Sequence, residues 1–189
     1  MKFSHLILSL TLALTSAVAF ASDYLTILVK DGPVVIKLFP EVAPQNVARI
    51  KALATSGKYN DVAFHRVIDG FMIQGGGMDA QMREKATDKA IVNEARNGLQ
   101  NTVGTIAMAR TAAPNSATSQ FFINTANNTP LNYKGPTPAG AGYAVFGRVT
   151  GGMNVVNAIS KTRTTSKGMH QDVPATPIVI KKVTVYKTK

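Results

Sequence analysis

The 189-residue sequence predicts a mainly β fold, a closed or nearly closed antiparallel barrel accompanied by two helices. Three observations carry this expectation. Eight short runs rich in β-branched, aromatic and aliphatic residues are punctuated by turn signals, and only two segments show helical spacing. No linker, internal repeat or low-complexity segment divides the chain, so these strands belong to one domain. Many short strands in a small domain leave unpaired edges unless the sheet closes on itself, which favours a barrel.

The elements follow in order. Residues 1–21 combine a basic start at Lys2, an apolar run over 6–20 and the small residues Ala19 and Ala21, the pattern of a cleavable export signal. A bilayer-spanning helix needs about 20 apolar residues, and Ser9, Thr11, Thr15 and Ser16 interrupt this run. Cleavage is therefore expected before Ser22, leaving a single domain over 22–189 with no membrane anchor. Strands over 24–30 and 34–38 flank Asp31-Gly32-Pro33 and predict a hairpin. Pro44 suits a first helical turn, Val47, Ile50, Leu53 and Ala54 recur at helical spacing, and Gly57 closes the helix. Strands over 62–67 and 72–75 meet at Asp69-Gly70.

Residues 76–103 are polar, aperiodic and contain Gly98, so they predict mostly loop, with Gly75-Gly76-Gly77 as a bend at a strand end. Strand character returns at 105–109, 120–124, 144–149 and 177–186. A second short helix is expected after Gly151-Gly152, on Met153, Val156 and Ile159, followed by loop over 161–174.

Composition narrows the function. With no cysteine, an exported domain of this size takes its stability from packing. The formal net charge of +11, lowered by one when Lys2 leaves, is scattered, without an arginine-rich arm or basic helix. It biases encounters rather than marking a specific nucleic-acid site. Only His65 and His170 remain in the mature chain, which argues against a metal centre. The glycine run lacks a following Lys-Ser or Lys-Thr pair, and Ser119 lacks a G-x-S-x-G elbow, so neither a phosphate loop nor a hydrolase triad is indicated.

Residues 64–76, FHRVIDGFMIQGG, place the cation Arg66 among apolar neighbours before a glycine bend. Arginine is a poor acid or base but a good fixed donor to an oxygen or amide, so the chemistry indicated is electrostatic, not hydrolytic. Strand alternation from Phe64 puts Arg66 on the inward side and His65, as a structural histidine, on the opposite face. On pattern alone, Phe71, Met72 and Phe122 read as core residues, and Gln74 reads as a strand-end polar residue.

This run resembles the signature of the cyclophilin-type peptidyl-prolyl cis-trans isomerases, and SQFFIN at 119–124 and GYAVFGRV at 142–149 follow in that family's order. The resemblance spans nearly the whole mature chain. It implies an eight-stranded antiparallel barrel with a helix capping each open end, and an enzyme that rotates X-Pro bonds and assists folding of exported proteins. It implies no cofactor and proline-containing unfolded or flexible polypeptides as partners, and nothing in the sequence suggests more than a monomer. Arg66 matches the family's catalytic arginine, and Gln74 a glutamine that hydrogen-bonds substrate backbone and helps orient that arginine. Phe71, Met72, Phe122 and Leu131 match the proline pocket, and Ala109 and Gln120 the adjoining peptide groove. Tyr143 stands where eukaryotic members carry a pocket histidine, and Pro130 where they carry a tryptophan that helps bind cyclosporin, which implies weak inhibition. The triple glycine looks like bacterial single-domain members and, with the export signal, implies a periplasmic location. Two other classes share these features: a chaperone or peptide-binding module using the same groove, and a basic interaction protein at membranes or nucleic acid.

Overall fold

The first hairpin turns one residue earlier than its Gly-Pro signal suggests. In this structure, a computed structural model that describes residues 21–86 and 89–188, β1 (Ser22–Val29) and β2 (Gly32–Leu38) pair with Val29 opposite Gly32, so Lys30 and Asp31 make the turn. The export signal expected over 1–21 lies, but for Ala21, outside the described residues. Along β1, Leu25, Ile27 and Val29 alternate inward, the period of a strand with one face on a core.

Helix α1 (Pro44–Thr55) starts with proline where its missing N–H costs nothing, and buries Val47, Ile50, Leu53 and Ala54. Strands β3 (Val62–Ile68) and β4 (Met72–Asp79) form the next hairpin around Gly70, whose φ of +67° suits glycine. Then come β5 (Thr105–Met108), β6 (Phe121–Asn124), β7 (Val145–Gly151) and α2 (Met153–Ser160). The chain closes with β8 (Thr164–Lys167), β9 (His170–Pro174), β10 (Ile178–Ile180) and β11 (Lys182–Thr188).

Nine strands form one antiparallel sheet in the order β10-β3-β4-β6-β5-β7-β2-β1-β11. The expected last strand is broken at Lys181: its first half pairs with β3 and its second with β1, so the two ends of the sheet are consecutive in the chain. The Lys181 N–H still donates to the Leu28 carbonyl at 2.8 Å. One bent strand thus closes the barrel, and the eight predicted strands become nine by this break.

Two predicted loops hold more order. Residues 161–174 form the β8–β9 hairpin, with β9 lying beside β3. The glycine run is interior to β4, which continues to Asp79, and 76–103 also contains a 3-10 turn at Ala95–Asn97. Gly75-Gly76-Gly77 therefore is not a terminal bend. A Cβ on Gly76 would stand 2.7 Å from the Ser119 carbonyl and one on Gly77 2.5 Å from the Gln120 side chain, so the glycines let the chain before β6 lie against β4.

The barrel interior is one apolar cluster that includes Leu25, Ile36, Phe64, Ile73, Ile106, Phe121, Ile123 and Phe146, and both helices turn buried residues into it. A second, smaller cluster lies on the other face of β4, β5 and β6, around Met72, Ala107, Phe122 and Val145. Successive strand residues supply the two: Ile73 and Ile123 face the interior, while Met72 and Phe122 face the outer cluster.

Candidate active site

Backbone register brings the site together. Arg66 pairs with Gln74, Gln74 with Phe122 and Phe122 with Ala107, a straight line across β3, β4, β6 and β5. Residues directly opposite in a sheet share a face, so the polar pair and the aromatic ring emerge side by side. They meet in a cleft of about 240 Å³ lined by Arg66, Phe71, Met72, Gln74, Ala109, Arg110, Phe122, Leu131 and Tyr143. Of the site residues expected from sequence, Gln120 alone stays outside this cleft. It lines the two neighbouring grooves instead, and its Oε1 accepts a hydrogen bond of 2.8 Å from Gln74 Nε2.

Arg66 is not inward. Its side chain is 44% exposed, on the barrel's outer surface, because the register with β4 shifts between Phe64 and Arg66. Such a bulge reverses which face the following residues occupy. Phe64 therefore stays in the interior while Arg66 leaves it. The same irregularity overturns the expectation for His65, which lines a groove together with Arg66 rather than pointing away from it.

His65 is buried, and burial is the main force holding its pKa at about 4 against an ordinary 6.5. His170 and Arg66 push the same way, while the Ala63 backbone and the Gln120 side chain oppose. Neither reaches Nδ1 in good hydrogen-bonding geometry. The imidazole is neutral at pH 7.

The apolar floor is both buried and usable. Met72 and Phe122 are 2% and 4% exposed, yet they line the cleft, so the alternatives of core residue and pocket wall coincide here. Phe122 meets Tyr143 edge to face at 5.7 Å. Leu131 ends a 3-10 turn at Thr129–Leu131, and its carbonyl accepts from the Tyr143 N–H at 2.9 Å, which ties two walls together.

Sequence reading missed the residues that hold these walls. Asn101 Nδ2 donates to the carbonyls of Leu131 and Tyr143 at 3.2 and 3.3 Å, and Asn128 Nδ2 to that of Phe71 at 2.8 Å. Arg110 was missed too, although it directly follows Ala109. Its guanidinium carbon lies 4.6 Å over the Tyr143 ring, and its Nε donates to the Gly142 carbonyl at 2.8 Å. A third omission is Asp172, on the unforeseen β8–β9 hairpin, whose Oδ2 lies 3.8 Å from Arg66 Nε. None of these carries a motif; only long-range pairing reveals them.

Among the described residues no side-chain hydrogen bond joins Gln74 to Arg66, and the pairing of β3 with β4 sets them side by side. Among the described residues no group of three or more His, Cys, Asp or Glu side chains could hold a metal ion. What remains is a small apolar pocket with a guanidinium and a tethered amide on its rim. Such an arrangement grips a compact ring and offers hydrogen bonds to polar atoms beside it.

Known proteins share this architecture. Residues 24–185 match the family model described as cyclophilin type peptidyl-prolyl cis-trans isomerase/CLD. Peptidyl-prolyl cis-trans isomerase B of Escherichia coli (strain K12) is 53% identical over 154 residues, covering 82% of this chain and 94% of that protein. Peptidyl-prolyl cis-trans isomerase A of Dickeya dadantii (strain 3937) is 44% identical over 181 residues, covering 96% and 94%. A crystal structure of a Cryptosporidium parvum cyclophilin type peptidyl-prolyl cis-trans isomerase, in the presence of the dipeptide Ala-Pro, superposes with a TM-score of 0.74 at 25% identity, covering 86% of this chain and 98% of that one.

Proposed function

This chain belongs to the cyclophilin-type peptidyl-prolyl cis-trans isomerases, and on that premise we propose that the cleft beside Arg66 is where it rotates the X-Pro bonds of unfolded or flexible exported polypeptides. It is a peptidyl-prolyl cis-trans isomerase. Rotation about such an amide faces a barrier of roughly 18–20 kcal/mol because resonance gives the C–N bond double-bond character. No bond breaks, so catalysis consists of binding the twisted form more tightly than either planar form.

In this reading the pyrrolidine ring lies on Phe122, Met72 and Leu131, held by the apolar floor while the preceding carbonyl turns. Twisting removes conjugation and leaves a lone pair on the prolyl nitrogen. Arg66 donates to that lone pair, an interaction that the planar amide cannot make. Gln74 has its amide N–H committed to Gln120, so its Oε1 is the atom that accepts a substrate backbone N–H. Tyr143, its ring packed between Phe122 and Arg110, closes the pocket at the position where eukaryotic members carry histidine. No step moves a proton, so a neutral His65 is no handicap.

The observation that carries this assignment is the register line that sets Arg66, Gln74 and Phe122 in one apolar-floored cleft. Prolyl exchange measured by NMR on a short X-Pro peptide tests it. Arg66→Ala is expected to lower kcat/KM by about 10²- to 10³-fold with an unchanged melting temperature, because Arg66 lies outside the core. Unchanged exchange rates would refute the assignment.

The destination of the protein belongs to the same proposal. The apolar segment ending in Ala19 and Ala21 supports export to the periplasm, with folding of exported chains as the service performed. A catalyst with no nucleotide motif suits that setting. Proline-containing polypeptides are its partners, and it works as a monomer with no cofactor.

A further inference from the structure

Across Arg66 from the proline cleft lies a second, larger groove of about 410 Å³. Arg66 and Gln74 line both, so their side chains form the ridge between them. The groove's remaining walls come from His65, Gln120, the end of β4, the turn after it and the β8–β9 hairpin, which adds the polar side chains of His170, Gln171 and Asp172. Three of the chain's 7 methionines, Met78, Met82 and Met169, stand around it.

Hydrogen bonds order the turn that carries Met82. Asp79 accepts from the backbone N–H groups of Gln81 and Arg83 at 2.9 and 3.0 Å and from Arg83 Nε at 2.7 Å, which fixes the turn that presents Met82. Met82 sits in that turn at φ +64°, and Asp172, on the opposite wall, is at φ +59°. These are two of the three described non-glycine residues with left-handed backbone. Such conformations cost energy and persist where the surroundings enforce them, commonly at functional surfaces. Met169 is 97% exposed at the hairpin tip, so packing within the fold does not account for it. The contact closing the ridge, Arg66 to Asp172, is loose at 3.8 Å and lies between two half-exposed side chains.

Methionine is unbranched and polarisable, and a wall built of it reshapes around different apolar side chains. We infer that this groove is a second substrate subsite, which takes an apolar side chain of the same polypeptide whose proline occupies the adjoining cleft. The commitment to that occupant follows from continuity, since a chain leaving the proline cleft past Arg66 runs directly into the groove. The groove on the other side of Gln74 is lined by Glu84, Ala109, Arg110, Thr111, Ser116 and Thr118 and contains no methionine. An adaptable subsite suits an enzyme whose substrates share a proline and little else. The inference rests on the assignment of the proline cleft above.

The test uses peptides with one proline and a single phenylalanine or serine placed in turn at each of the three positions on either side of it. A blocked Ala-Pro peptide too short to reach the groove serves as reference. For wild type, at least one position is expected to show a KM roughly three- to tenfold lower with phenylalanine than with serine. In the doubly substituted Met82→Ser, Met169→Ser protein this ratio is expected to fall to about one. Methyl signals of Met82 and Met169 in wild type are expected to shift with that peptide and not with the Ala-Pro reference. A Phe/Ser ratio that is the same in both proteins at every position, or methyl signals that never move, overturns the subsite. If Ala-Pro turnover survives Arg66→Ala, it is the cleft assignment that fails.

Discussion

His65 shows how one buried side chain links the site to the stability of the fold. The folded protein keeps it neutral down to about pH 4, whereas in the unfolded chain it takes up a proton near its ordinary pKa of 6.5. Stability is therefore undiminished above about pH 6.5 and falls as pH drops toward 4, by at most on the order of 3 kcal/mol. Asp69 and Asp79, held below their ordinary pKa chiefly by Lys161 and by the Arg83 backbone N–H, add a loss that sets in at more acid pH. Urea midpoints of wild type and His65→Gln at pH 7 and pH 4.5 separate the two contributions. The drop between these pH values is expected to be clearly smaller in the variant, and an equal drop in both would remove His65 as the cause. At this scale the sequence was legible in chemistry and misleading in direction. Arg66 carries the guanidinium that the proposed mechanism uses, but the bulge beside it turns Arg66 to the outer surface and sets the buried His65 on the same groove, against simple alternation.

Element by element, the predicted segments formed where local signals and burial agree, as in α1. Its start, however, is completed from a distance. Ala43 offers no side-chain cap, and Glu94 supplies one instead: Oε1 accepts from the Gln45 N–H at 3.0 Å and Oε2 from the Asn46 N–H at 2.9 Å, with the Asn46 side-chain amide also donating to it. A carboxylate there satisfies orphan donors and complements the helix dipole. Glu94→Ala is expected to destabilise by about 1–2 kcal/mol, with Glu94→Gln losing less because one acceptor remains. Denaturant midpoints decide it, and an alanine variant as stable as wild type would show that the contact contributes nothing. This pairing also explains why 76–103 read as featureless. Its order comes from side chains such as Glu94, Asn97 and Asn101 bonding to distant segments, and such bonds leave no period in the sequence. The β8–β9 hairpin escaped for a related reason: its outer residues are exposed and polar, so its strands show no apolar alternation.

For the whole molecule, closure is the governing event. β1 is bonded on both sides, to β2 and β11, and its first residue Ser22 already pairs with Thr188. A protein cut before Ser22 therefore keeps its complete sheet. If the chain is exported as proposed, N-terminal sequencing of the secreted form is expected to begin at Ser22, and thermal melting of that form to be cooperative. A shortened chain beginning at Thr26 loses pairs on both sides of β1 and is expected to melt at a lower temperature; native-like melting would contradict the closure. By itself the sequence determined the composition of the molecule: short alternating strands, two helices and, through three ordered motifs, the residue types of the cleft beside Arg66. These depend on near neighbours, and periodicity records near neighbours. Only the tertiary structure decided which faces those residues occupy, that a bend at Lys181 seals the barrel, and that Asp172 and three methionines gather beyond Arg66. Register, bulges and contacts between distant segments arise from packing the whole chain at once, and no local stretch of sequence contains them.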